Sequence, residues 1–74
     1  MTTKERITEE ALTLFSTKGY KGTSVKNIAD AVGIKDASLY KHFKSKQEIF
    51  DSIVELISAH ISDLSVRLGI PQYD

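Results

Sequence analysis

Apolar residues recur at helical spacing in four stretches of this chain, and glycines and hydroxyl side chains mark where the stretches begin and end. In the first, Ile7, Ala11, Leu14 and Phe15 share a face, the pattern of an amphipathic helix. Thr2 with Glu5 three residues later reads as a capping box, and Gly19 as a left-handed stop, so a helix is predicted over about 3–18. Ser24 can cap a second helix over about 25–32, with Val25, Ile28, Ala29 and Val32 as its stripe and Gly33 as its stop. After Gly33-Ile34-Lys35, Asp36 is placed to cap, or to complement the dipole of, a third helix over about 36–43. Leu39 and Phe43 would point inward there and Ile34 would plug the corner. Ser45 and Glu48 form a second capping-box pattern before a long apolar series, Ile49, Phe50, Ile53, Val54, Leu56, Ile57, Ile61, Leu64 and Leu68, which predicts a fourth helix over about 46–68. Gly69 and Pro71 would end it.

No strand-like alternation appears, so the fold class expected is all-α, a three-helix head of homeodomain-like form followed by one long helix. The boundaries that follow are 1–46 for the head, 47–68 for a connecting helix and 69–74 for a terminal tail. Helix four carries more than one apolar stripe: Val54, Ile61 and Leu68 lie seven apart beside Ile57 and Leu64. Three short helices cannot bury so much, and something else is expected to cover it.

Composition narrows the field. The chain has 74 residues, 41% of them apolar, and no cysteine, so neither disulfides nor a thiolate metal site can hold together so small a domain. Charges begin at Lys4, and no apolar run reaches signal-peptide or membrane-spanning length, which predicts a soluble, cytoplasmic protein. The formal net charge is zero, but the charges are segregated. Residues 25–46 hold Lys26, Lys35, Lys41, Lys44 and Lys46 against Asp30 and Asp36, whereas residues 47–74 hold Arg67 against Glu48, Asp51, Glu55, Asp63 and Asp74. A basic middle points to a polyanion as partner.

Two short helices joined by a glycine-containing turn form a helix-turn-helix, here at about 24–43, in which the second helix enters the DNA major groove. With Leu39 and Phe43 on the buried side, Ala37, Ser38 and Lys41 fall opposite, and Tyr40 and His42 roughly 80° to either flank. Ser38 can donate to or accept from base edges, and Ala37 can touch a thymine methyl. Lys41 can reach guanine or phosphate. Tyr40 and His42 would stand at the height of the sugar-phosphate chain, although flank geometry alone equally allows Tyr40 as a half-buried core aromatic. Lys46 with the free amides of helix four forms a candidate anion site, while Ser24 and Lys26 can hold the opposite strand. Lys44 and Lys46 also fit as solvated lysines beside a cap, and Ser24 and Ser45 as caps alone. His60 reads as a surface residue.

Residues 23–50, T-S-V-K-N-I-A-D-A-V-G-I-K-D-A-S-L-Y-K-H-F-K-S-K-Q-E-I-F, resemble the TetR/AcrR family of bacterial regulators. The shared pattern is an aromatic after the glycine that ends helix one (Gly19-Tyr20), Thr/Ser opening helix two, I-A near its middle, G-I at the turn, L-Y-x-H-F, and K-x-K opening helix four. The resemblance covers residues 4 to about 66. It implies a repressor that binds a palindromic operator in double-stranded DNA as a homodimer, with a larger carboxy-terminal helical domain that takes a small-molecule inducer. That domain lies outside this chain, which is expected to be the head of a longer protein. The L-Y-x-H-F match also favours a phosphate role for Tyr40 and DNA contact for His42. Lys35-Asp36 departs from the pattern, in which Ser or Thr is often followed by a small or basic residue. An acid at the tip of the reading helix repels phosphate but can accept from a cytosine amino group.

The competing class is a helical protein-interaction module using the apolar face of helix four. Against it, such a module has no reason to confine excess lysine to helices two and three. An enzyme fits worst, because the chain holds no Ser/His/Asp set, no glycine-rich phosphate loop and no metal or cofactor spacing.

Overall fold

The computed structural model describes residues 1–69, the side chains of 62–67 apart. Its elements are α1 (Thr3–Lys18), α2 (Val25–Val32), α3 (Asp36–Tyr40) and α4 (Lys46–Arg67), with no strand among the described residues. The all-α class expected from the apolar spacing is the fold observed. Pro71 and most of the tail expected at 69–74 lie outside the described residues.

The helix starts follow local chemistry. At α1 the Thr2 hydroxyl accepts the Glu5 N–H at 3.1 Å and the Glu5 carboxylate accepts the Thr2 N–H at 3.2 Å, which satisfies two of the amide groups that a helix start leaves open. Ser24 opens α2 likewise, but its reciprocal partner is Asn27: the Ser24 hydroxyl accepts the Asn27 N–H at 3.0 Å and the Asn27 amide oxygen accepts the Ser24 N–H at 3.1 Å. Before α4 only half of the expected box forms, the Glu48 N–H donating to the Ser45 hydroxyl at 3.1 Å.

Two glycines set the chain's direction between helices. Gly33 closes α2 at φ +86°, where its N–H donates to Ala29 and the Ile34 N–H to the same carbonyl at 3.0 Å, and a side chain would be strained in that left-handed conformation. Gly22 is required for a different reason: a Cβ there would collide with the Lys18 carbonyl oxygen.

The third helix is shorter than predicted. It ends at Tyr40, after which the Lys41 and His42 amides donate to Ser38 and Leu39 in i→i+3 bonds of 3.2 and 2.9 Å and the Phe43 N–H reaches Leu39 at 3.1 Å. These tighter turns let Phe43 return to the core just before α4 begins. Asp36, at the first helical position, lies in the first turn and makes no cap, and Lys35, in the capping position, makes no side-chain capping bond either. The acid's contribution is thus to the helix dipole.

The core consists of Ile7 and Ala11 from α1, Ile28, Ala29 and Val32 from α2, Leu39 and Phe43, and Ile49 and Ile53 from α4, with Leu14, Phe15, Val25 and Ile34 packed against it. α2 packs on both α1 and α3, and α4 packs on α1. Among the residues of α4 whose side chains are described, burial stops at Ile53: Val54, Leu56, Ile57 and Ile61 are 45, 59, 44 and 56% exposed. The surplus of apolar surface read from the sequence is therefore on the outside at Val54, Ile57, Ile61 and Leu68, while the Leu64 side chain lies outside what is described.

Two predictions follow from this packing. Leu39, fully buried, is the main inward anchor of α3, and Leu39→Ala should lower the unfolding free energy by about 2–5 kcal/mol, measured by urea titration. Glu5 has a carboxyl pKa below its ordinary value, chiefly because it accepts the Thr2 backbone N–H, then through its bond with the Thr2 side chain. The capping box thus adds stability above the ordinary carboxylate range and loses it as pH falls through the lowered value. The protection factor of the Thr2 amide, its exchange rate compared with the intrinsic rate at the same pH, should fall there in the wild type and stay constant in Glu5→Gln.

Candidate nucleic-acid interface

Helix α3 lies in the chain between the starts of α2 and α4. Asp36 and Ala37 are exposed, as are Lys41 and His42 in the turn that follows. Tyr40 is 49% exposed and outside the core, which removes the core-aromatic alternative that flank geometry left open. Ser38 is half-buried, although the helical wheel put it opposite the core. In a helix of five residues the outward arc is narrower than an ideal long helix would offer, and Ala37 with Tyr40 forms more of it than Ser38 does. His42 lies beyond the helix, so the 100° wheel does not set its direction.

Before this helix in the chain, and packed on it, is α2. Ser24 is exposed, its hydroxyl occupied by the cap, and Lys26 reaches Asp30 at 3.9 Å with both side chains largely in solvent. Such a pair is weak and screened, so Lys26 can exchange Asp30 for another anion at little cost. After it comes the start of α4, where Lys44 is exposed and the first amides of the helix lack intrahelical acceptors. Lys35, at the tip of α3, is exposed as well. Four lysines, 26, 35, 41 and 44, thus stand on the surface of one region that holds two acids, Asp30 and Asp36.

Lys46 departs from the expectation of a lysine reaching outward for an anion. It is half-buried; its ammonium donates to the Tyr20 carbonyl at 2.7 Å and to the Thr23 carbonyl at 3.0 Å, and it lies 4.1 Å from the centre of the Tyr20 ring. Two carbonyl dipoles and an aromatic face outcompete solvent for the charge. That ring belongs to a cluster of three: Tyr20 stands 5.5 Å from Phe15 and 5.4 Å from Phe50, and Phe15 stands 5.9 Å from Phe50.

Three further residues hold the region in place through bonds that the sequence reading did not anticipate. The Arg6 guanidinium donates to the Val32 carbonyl at 2.9 Å, securing the end of α2 from α1. The buried Thr23 hydroxyl donates to the Leu14 and Gly19 carbonyls. The Tyr20 hydroxyl donates to the Gln47 side-chain oxygen at 3.1 Å. Such bonds join residues far apart in the chain and leave no periodic trace, although the aromatic of Gly19-Tyr20 was itself visible as a family feature.

A groove of about 490 Å³ between α1 and α4, lined by Met1, Leu12, Leu56 and Ile57 among others, touches neither α2 nor α3. Among the described residues no group of three His, Asp or Glu side chains could hold a metal ion, and no helix is long and apolar enough to cross a membrane.

Comparison with known proteins agrees with this architecture. Residues 7–53 match the model of bacterial regulatory proteins of the tetR family. The chain is 44% identical over 61 residues to the biofilm operon icaADBC HTH-type negative transcriptional regulator IcaR of Staphylococcus aureus (strain Newman), covering 82% of this chain and 33% of that protein. Against IcaR of Staphylococcus epidermidis (strain ATCC 35984) it is 44% identical over 64 residues, covering 86% and 35%. A solved structure of a protein assigned to the tetR family of transcription regulators in Shewanella sp. PV-4 superimposes with a TM-score of 0.84 at 29% identity, covering 97% of this chain and 38% of that one. The chain spans about a third of the length of the curated relatives it matches. These relatives are transcriptional regulators, not enzymes.

Proposed function

From the premise that the chain belongs to the tetR family of bacterial regulatory proteins, we propose that it is the operator-binding head of a transcriptional repressor. The observation that carries the reading is the exposed outer side of α3, which the chain carries between two helix starts on its basic stretch. A helix of this kind fits the major groove, with the helix starts beside it holding the phosphate chains.

Each residue has a role in this reading. Ala37 makes close contact with a base edge or thymine methyl, and the partly shaded Ser38 hydroxyl bonds a base edge at the deepest point of contact. Lys41 reaches guanine or phosphate, and Tyr40 and His42 meet the sugar-phosphate chain. Lys35 and Asp36 at the helix tip bias the choice of base pair, the acid favouring a cytosine amino group. Ser24 and Lys26 hold one strand, Lys44 and the first amides of α4 the other. One head spans few base pairs, so specific binding needs two heads related by two-fold symmetry on a palindrome. The exposed face of α4 docks on the remainder of the longer protein, which carries the dimer contact and the pocket for a small-molecule inducer. Negative regulation is the mode suggested by the IcaR relatives, and in this reading the head acts in the bacterial cytoplasm, on the nucleoid.

A second reading rests on a specific observation, the exposed Val54, Ile57 and Ile61: the chain as a protein-interaction module. The two readings differ in their response to salt. Neutralising about four phosphates gives a slope of log affinity against log salt near −3 to −4. Lys41→Ala and Lys26→Ala should each reduce its magnitude by about one on any duplex, measured by fluorescence anisotropy. A chain fused to a dimerising coiled coil should prefer an inverted repeat selected from random duplexes over a single half-site. Salt-independent binding, or slopes unchanged by both substitutions, would contradict the DNA reading.

A further inference from the structure

Lys46 is the first residue of α4, where the helix dipole is positive and a cation is disfavoured. It resolves this by folding back onto the turn between α1 and α2, onto the Tyr20 and Thr23 carbonyls and the Tyr20 ring. Thr23 is itself immobilised: it is 1% exposed, and its hydroxyl donates to Leu14 and Gly19 at 3.2 and 2.9 Å. The next residue, Ser24, is the cap of α2. A continuous run of bonded groups therefore connects the first residue of α4 to the first turn of α2. Those two helix starts are the ones that hold phosphate in the DNA reading.

We infer that Lys46 is a positioning residue for DNA binding: by clasping the Tyr20 and Thr23 carbonyls it fixes the separation of the two phosphate-holding helix starts, and it makes no phosphate contact itself. This role rests on the DNA reading above. Two of the three ammonium donors are already spent on carbonyls, and moving the charge to a phosphate would take from the Thr23 carbonyl its charged donor and leave the Tyr20 carbonyl with only the Thr23 N–H. Lys44, exposed two residues earlier, is the lysine of this turn that meets phosphate.

The test compares Lys46→Met and Lys44→Met in the isotopically labelled 74-residue chain. Lys46→Met should move the Tyr20 and Thr23 carbonyl carbon shifts before any DNA is added. It should weaken duplex binding about tenfold, on the scale of one charge-assisted hydrogen bond, while the salt slope stays within about half a unit. Lys44→Met should leave both carbonyls in place and reduce the slope by about one. A slope loss of about one in Lys46→Met with unmoved carbonyls would overturn the proposal. So would moved carbonyls with unchanged affinity, which would reduce the clasp to a brace for stability. If Lys46→Met does not fold, the wild-type ammonium resonance decides: couplings to the Tyr20 and Thr23 carbonyl carbons that persist in the DNA complex support the clasp, and a coupling to phosphorus refutes it. A wild type that binds no duplex would overturn the DNA reading and this role with it, while the carbonyl shifts would still register the clasp.

Discussion

The burial of α2 is the constraint on which the exposed side of this domain depends. Ile28 and Ala29 have no exposed surface and Val32 almost none, and α2 is the element on which α3 packs. A helix of eight residues is too short to be stable on its own propensity. It persists because its apolar face lies against α1 and because both ends are secured from outside, by Arg6 on the Val32 carbonyl and by Lys46 on the turn that precedes Ser24. α3 is shorter still and has no side-chain capping bond, so its direction is inherited from α2 through Leu39, Ile34 and Phe43.

That dependence explains which features could be read from the chain. Helix starts and stops are local chemistry, so Thr2 with Glu5, Ser24, Gly19 and Gly33 marked the ends of α1 and α2, although Gly19 ends α1 at φ +78° and ψ 165° and not in the left-handed helical conformation expected of it. The inward positions Ile7, Ala11, Ile28, Leu39 and Ile49 followed from 3.6-residue spacing. The end of α3 did not, because Phe43 keeps its apolar register with Leu39 whether the intervening turn is α-helical or tighter. The Asn27 half of the α2 cap escaped notice because Asn stands where Glu or Gln marks the usual box.

The candidate interface was legible in its lysines and less so in its geometry. Charge segregation located the region, and the exposures of Lys26, Lys35, Lys41 and Lys44 fit it. Lys46 looked the same as its neighbours in the sequence. Its inward course depends on two carbonyls more than twenty residues away, Tyr20 and Thr23, and no spacing rule encodes that. Ser38 was similarly misjudged as fully outward, since an ideal wheel overstates the outer arc of a helix with barely more than one turn.

One contrast separates the two faces of the molecule. The surface around α3 is polar, basic and supported from beneath by the core, whereas α4 beyond Ile53 is apolar and unsupported among the described residues. A nucleic acid suits the first and a protein surface the second. The most direct measurement is a map of amide chemical shifts as a short duplex is added to the labelled chain. The largest changes should fall on residues 24–27 and 35–46, with Val54, Ile57 and Ile61 unmoved. Changes centred on Val54 to Ile61 with residues 24–46 silent would contradict the account.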